Sequence, residues 1–176
     1  MTLGVAAVRL SKIILTGGIA LFAFLVALNN LVDPGSNWTF VQRVLSMDTV
    51  FPDSTLTGRA ITHPTAQLAA YVIIILIETL TCLAFLVATW AMARKFRAPK
   101  AEFQRAKQLT AIGVITGFGL WFIGFMGIGG EWFVMWQSAT WNGQTAAFQF
   151  YLTILGVGIY VFLDNDGEPE AEDTGR

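Results

Sequence analysis

Four stretches of this chain run for about the length of a bilayer crossing without a lysine or arginine: Ile13 to Val32, Ala66 to Ala93, Leu109 to Ile128 and Thr145 to Leu163. A helix rises about 1.5 Å per residue and the hydrocarbon core of a membrane is about 30 Å thick, so about 20 apolar residues span it. The composition agrees: 55% of the 176 residues are hydrophobic and 13% are charged, where a soluble domain carries about 25% charged residues. The expected fold is all-α, a four-helix transmembrane bundle forming one membrane domain over residues 1–163, with the lipid bilayer as its first partner.

The basic residues then set an orientation. Arg9 and Lys12 precede the first span, six more lie between spans two and three from Arg94 to Lys107, and Arg176 ends the chain. Only Arg43 and Arg59 lie in the other connections. Lysine and arginine concentrate on the cytoplasmic side, so both termini are expected in the cytoplasm and the connections 33–64 and 129–144 outside. Leu25 and Ala27 make a poor signal-cleavage site, so the first span is expected to remain. The tail, Asp164 to Arg176, carries six acidic residues with Gly and Pro, too little apolar surface to offset the entropy of ordering. It is expected to be disordered.

Short interfacial helices are expected in both outer connections. In the first, Asn37 can cap a helix, and Trp38, Val41 and Leu45 recur at helical spacing on one stripe, to face lipid or the bundle. In the second, Trp132 and Trp136 stand one helical turn apart and Trp141 follows. Gly129-Gly130 is expected to break the third span. Tryptophans settle at membrane interfaces. Here Glu131, Gln137, Asn142 and Gln144 add directional polar groups beside the rigid rings, as a surface for a ligand headgroup or partner subunit requires.

Glu78 lies within the run Ile73-Ile74-Ile75-Leu76-Ile77-Glu78-Thr79, near the centre of span two, with Tyr71, Ile75, Cys82 and Phe85 on its face. A charge at such a depth costs about 2.5–3.5 kcal/mol, and no span offers a cation to pair with it. Glu78 is therefore expected to be neutral and hydrogen-bonded to hydroxyls at similar depth, Thr116 and Thr153, as an intramembrane polar site. Gly113 and Gly117 form the small-x-x-x-small pattern that lets helices approach closely, expected to act within the bundle. Asn29-Asn30 can cap the first span or reach Glu131 or Gln144.

One histidine and one cysteine, His63 and Cys82, leave no metal, haem or nucleophilic constellation to assemble. No catalytic residue, cofactor or metal is expected, and a net charge of −1 leaves no footprint for nucleic acid.

The segments GFMGIGGEWFVMWQSATWNGQ, NNLVDPGSNWTFVQRVLSMDTVF and GRAITHPTAQLAAYVIIILIE together resemble a bacterial family of predicted small integral membrane proteins catalogued as a domain of unknown function. The resemblance covers nearly the whole chain apart from the acidic tail. Its most specific part holds Glu131, Trp132, Trp136, Gln137, Trp141, Asn142, Gly143 and Gln144. Family members commonly have a tryptophan before the Arg-Ala-Ile stretch, where this chain has Gly58. The resemblance implies a bacterial inner membrane and no chemistry.

Taken together, the expectation is a non-catalytic protein that binds a lipid-like molecule or a membrane-protein partner, within a larger complex or a homo-oligomer, through its outer aromatic-polar surface. The alternative is a small transporter or proton-coupled channel built on Glu78.

Overall fold

A computed structural model describes residues 1–167. Among these, all regular structure is helical. The elements are α1 (Leu3–Val32), α2 (Pro34–Ser46), α3 (Pro64–Arg94), α4 (Lys100–Lys107), α5 (Thr110–Phe118) and α6 (Gln144–Phe162). Single 3₁₀ turns stand at Thr57–Arg59 and Met135–Gln137. Four helical runs are long and apolar enough to cross a membrane: Leu3–Val32, Pro64–Arg94, Lys100–Trp132 and Gln144–Phe162. Aliphatic side chains stand exposed along them, among them Leu21, Leu76, Ile115, Ile123 and Ile159. That outward apolar surface is what a lipid-facing bundle presents and a monomer in water avoids.

The helix starts follow local chemistry. The Thr2 hydroxyl caps α1 by accepting from the Val5 N–H, while α2 and α3 each place a proline in the first turn, where its missing N–H is harmless. α2 therefore begins at Pro34, and Asn37 lies inside it rather than capping it. Its stripe turns to the bundle: Val41 and Leu45 are buried and Trp38 packs edge-on against Tyr71.

α1 and α3 run antiparallel in close contact. Arg9 reaches the carbonyls of Phe96 and Ala98 at one end, Gly17 lies against Thr89 midway, and Asn30 meets Tyr71 and Glu78 at the other. Gly113 and Gly117 serve contacts inside the bundle. A Cβ on Gly113 would lie 2.8 Å from the Phe85 ring, and one on Gly117 would lie 2.7 Å from Ile154, so these helices pack as closely as small residues allow.

The third run departs from expectation. From Gly119 to Trp132 the helix takes π geometry, and the Phe133 N–H continues the pattern to the Ile128 carbonyl at 3.0 Å. Gly129-Gly130 does not break it. Five glycines in this stretch leave room for wider turns, and a backbone released into hydrocarbon would cost several kcal/mol per unsatisfied group. π geometry is normally confined to single turns and concentrates near functional sites.

Three apolar layers stack along the bundle. Met92, Phe103, Ala106 and Val161 fill the end that holds the termini. Ile19, Phe85, Leu120, Trp121 and Ile154 fill the middle. Val41, Leu45, Met47, Tyr71, Phe133, Val134 and Met135 fill the far end.

The terminal end closes on a charged clasp. The Asp166 Oδ2 accepts from Lys12 at 2.7 Å and Lys107 at 2.6 Å, with all three side chains fully buried. Arg9 Nε donates to the Asp166 carbonyl at 2.9 Å and its guanidinium stacks on Phe103 at 4.6 Å. Gln104 bridges Asp164 and Asp166. Burial alone pushes the Asp166 carboxyl up, but the hydrogen bonds and charges of Lys107 and Lys12 outweigh it and hold it below its usual range. The expected disordered tail from Asp164 is thus corrected at its start, because buried lysines recruit its second acid. The remaining acids of that tail, from Glu168 onward, lie outside the described residues.

Candidate functional site

The end of the bundle opposite the termini is built from α2, the last turns of α1, the start of α3, the π-helical stretch and the start of α6. Its two connections are stitched together. Thr49 and Ser138 share a hydroxyl hydrogen bond at 2.9 Å, the Phe51 N–H donates to Gln137 at 3.2 Å, and Arg59 donates to the Trp132 carbonyl at 3.1 Å. The Ser138 hydroxyl also accepts from the Trp141 N–H.

Beneath this end, Glu78 is 3% exposed. Asn30 donates its side-chain amide to Glu78 Oε2 at 2.7 Å, and the Asn30 carbonyl accepts from the Tyr71 hydroxyl at 2.8 Å. Asn30 stands two residues from the end of α1, so Glu78, the fifteenth of the 31 residues of α3, lies level with the last turns of α1 and near the middle of its own span, as expected. The expected partners are corrected. Thr116 is bonded to the Ile112 and Gly113 carbonyls, and Thr153 to the Gln149 carbonyl on an exposed face. A hydroxyl on a membrane helix readily satisfies itself on the preceding turn, so similar depth did not bring these groups to Glu78. Asn30 in turn reaches neither Glu131 nor Gln144.

Glu78 lines a cavity of about 280 Å³. Asn29 and Asn37 stand exposed at its rim, while Asn30, Tyr71 and Trp121 are buried in its wall. Phe40, Phe125 and Phe150 complete an aromatic lining, and no lysine or arginine is among the lining residues.

A second, apolar cleft of about 340 Å³ lies against the first. Phe40, Val41, Ile74 and Phe125 line both. Its far wall is the π-helical stretch, with Gly119, Ile123, Gly124 and Ile128, and its floor includes Phe133 and Met135. The wide helix and its glycines leave this space open. A Cβ on Gly119 would meet nothing within 4 Å.

The surface residues expected from the sequence divide by role. Trp132 and Trp136 are about half exposed, but not on one helix. The chain leaves the helix after Trp132, and Val134 takes a left-handed backbone (φ 46°), which strains a β-branched residue. Phe133, Val134 and Met135 turn inward as a buried plug, a role that the sequence reading missed because they sit between two interface tryptophans. Arg59 stacks on Trp132 at 4.5 Å, and Trp136 meets Phe51 edge-on at 5.9 Å. Glu131 is exposed. Gln137 is occupied with the Phe51 N–H, Trp141 packs edge-on against Phe40, Asn142 Oδ1 accepts from the Gln144 N–H at 3.0 Å, and the Gln144 side chain lies against Gly130. The expected surface is therefore part exposed aromatic and part structural tie. In the cavity wall, Tyr71 was expected on the face of Glu78, whereas Asn30 as its partner, Trp121 and Phe150 were not. For Asn30 the legible signal was Asn29-Asn30 closing an apolar run.

No curated protein and no solved structure matches the chain. A family model described as predicted small integral membrane protein (DUF2165) matches residues 8–164. With four membrane-length helices in a single bundle and that match across most of its length, the chain belongs to this family of small integral membrane proteins.

Proposed function

We propose that this protein is non-catalytic and binds an amphipathic, lipid-like ligand at the aromatic end of the bundle, its tail in the apolar cleft and its headgroup toward Trp132, Arg59 and Trp136. The cleft between α3 and the π-helical stretch carries the reading. It is bordered by bilayer-facing residues such as Ile73, Ile123 and Ile128. Every residue that lines it is apolar or glycine, as an acyl tail requires. Trp132, carrying Arg59, directly precedes the cleft residue Phe133. The non-catalytic part rests on separation of reactive groups: His63 and Cys82 are 19 residues apart along α3, about 28 Å by helical rise.

The bundle is proposed to sit in a bacterial inner membrane with the clasped end in the cytoplasm. The support is the concentration of lysine and arginine there: Arg43 and Arg59 alone lie in the opposite connections.

A diazirine-tailed phospholipid, crosslinked in proteoliposomes and mapped by peptide mass spectrometry, tests the binding reading. Crosslinks concentrated at residues 119–135 and 70–77, and removed by Gly119→Phe, are expected. Crosslinks spread evenly around the bundle, unchanged by Gly119→Phe, would overturn it.

A further inference from the structure

We propose that the cavity around Glu78 is a recognition site for an organic ammonium group. It lies across the Phe40–Val41–Ile74–Phe125 wall from the apolar cleft and stands independently of the lipid reading.

The argument begins with the carboxylate. Glu78 is almost fully buried, yet its one hydrogen bond among the described residues is from Asn30 to Oε2, so Oε1 remains for a donor from the cavity that it lines. Oε1 is not among the buried atoms left without a partner, so it opens on the cavity, and a cation there would favour the charged form of an acid expected to be neutral without one. The walls narrow the chemistry of that something. An anion would meet a carboxylate and no lysine or arginine. Calcium and magnesium take six or more oxygen ligands and zinc about four nitrogen, sulfur or oxygen ligands, and among the described residues no group of three His, Cys, Asp or Glu side chains comes together. What the cavity does offer is the aromatic rings of Trp121, Phe125 and Phe150 beside one carboxylate. Aromatic faces attract a weakly hydrated organic cation, most strongly where water is excluded. The amide oxygens of Asn29 and Asn37 at the rim accept further N–H donors.

The volume, about 280 Å³, lies near the lower end of ligand sites, about 300–1,000 Å³, which suits a small amine or a headgroup rather than a whole lipid. The exposed asparagines at the rim open the site at the end of the bundle. An ammonium can therefore arrive as a free amine from the aqueous phase or as the headgroup of a neighbouring lipid.

The test uses the full-length protein in nanodiscs of phosphatidylglycerol, which carries no amine. Calorimetric titration with ethylammonium is expected to give saturable one-to-one binding, with none for uncharged ethanol. Glu78→Gln, which keeps the shape and can still accept from Asn30, is expected to weaken binding at least tenfold. Trp121→Leu is expected to weaken it about threefold or more, and Ile14→Ala, on an exposed face away from both cavities, to leave it unchanged. Adding phosphatidylethanolamine separates the sources. If the headgroup is the ligand, it lowers the ethylammonium affinity and one such lipid stays bound in native mass spectrometry. If the ligand is a free amine, the affinity does not move. Absence of saturable ethylammonium binding together with no retained phosphatidylethanolamine would overturn the proposal, as would binding unaltered by Glu78→Gln. Should Glu78→Gln lose its helical melting transition, Trp121→Leu and Asn37→Ala decide the matter by the same criterion.

Discussion

Asn30, at the end of α1, donates its side-chain amide to the carboxylate of Glu78 on α3 at 2.7 Å, and both residues are buried. The bond ties the last turns of α1 to the middle of α3, with the Tyr71 hydroxyl on the Asn30 carbonyl as a second tie. Removing one partner of such a pair leaves the other unsatisfied and costs about 1–3 kcal/mol, whereas replacing both with apolar groups is close to neutral. Asn30→Leu is therefore expected to destabilise the detergent-solubilised protein by about that amount, and Asn30→Leu with Glu78→Leu to recover most of it. A thermal-unfolding double-mutant cycle checks this. Strictly additive losses would show that the two side chains act separately.

The clasp at the other end gives the sharpest single-residue effect. Asp166→Asn leaves Lys12 and Lys107 buried without their shared carboxylate, and breaking a buried ion pair in this way costs about 3–5 kcal/mol. Denaturation of Asp166→Asn beside wild type checks it, and a change under about 1 kcal/mol would contradict the burial argument.

The same group sets a pH dependence. Asp166 is held below its usual range in the folded protein, so the unfolded chain binds its proton more tightly. The stabilisation is complete above the ordinary aspartate range, falls as pH drops through that range, and is gone below the depressed folded value. Thermal midpoints measured from pH 7 down to 3 are expected to fall more for wild type than for Asp166→Asn. Parallel curves would assign the acid sensitivity elsewhere.

Close packing at Gly113 makes a further expectation. Its added Cβ would lie 2.8 Å from the buried Phe85 ring, and that ring has no solvent to move into. Gly113→Leu is expected to destabilise the bundle by about 1–3 kcal/mol through overpacking. Gly18→Leu, at a position open to the surroundings, is expected to be nearly neutral, and unfolding curves of the two variants separate the cases.

The proposed orientation is open to a direct test because the one cysteine, Cys82, is buried. In whole cells whose outer membrane has been permeabilised, a membrane-impermeant maleimide is expected to label Thr140→Cys and to spare Arg97→Cys until the inner membrane is opened. Both residues are exposed. The reverse pattern would invert the bundle.

How far these features could be read from the sequence follows from their physics. The four helices were legible because membrane length and polarity are local properties of a run of residues. Glu78 was legible because a carboxylate among isoleucines has no local explanation. Its partner was not, because which α1 residue faces it depends on the register of two helices, and Thr116 and Thr153 lose their donors to their own backbones. The buried role of Asp166 was hidden for a related reason: one ordered acid looks like its neighbours in an acidic run, and Lys12 and Lys107 read as topology signals rather than as its ligands. Gly129-Gly130 misled because punctuation rules drawn from aqueous loops weaken where a free backbone group has no water to bind.

The most direct test of a lipid-like ligand at the aromatic end is native mass spectrometry of the protein extracted from its own membranes in mild detergent, beside Gly119→Phe, which fills the apolar cleft. The expected result is a defined lipid-sized adduct on the wild-type chain that is absent from Gly119→Phe while both proteins stay folded. A bare chain in both samples, or a bound protein subunit that Gly119→Phe does not disturb, would contradict it.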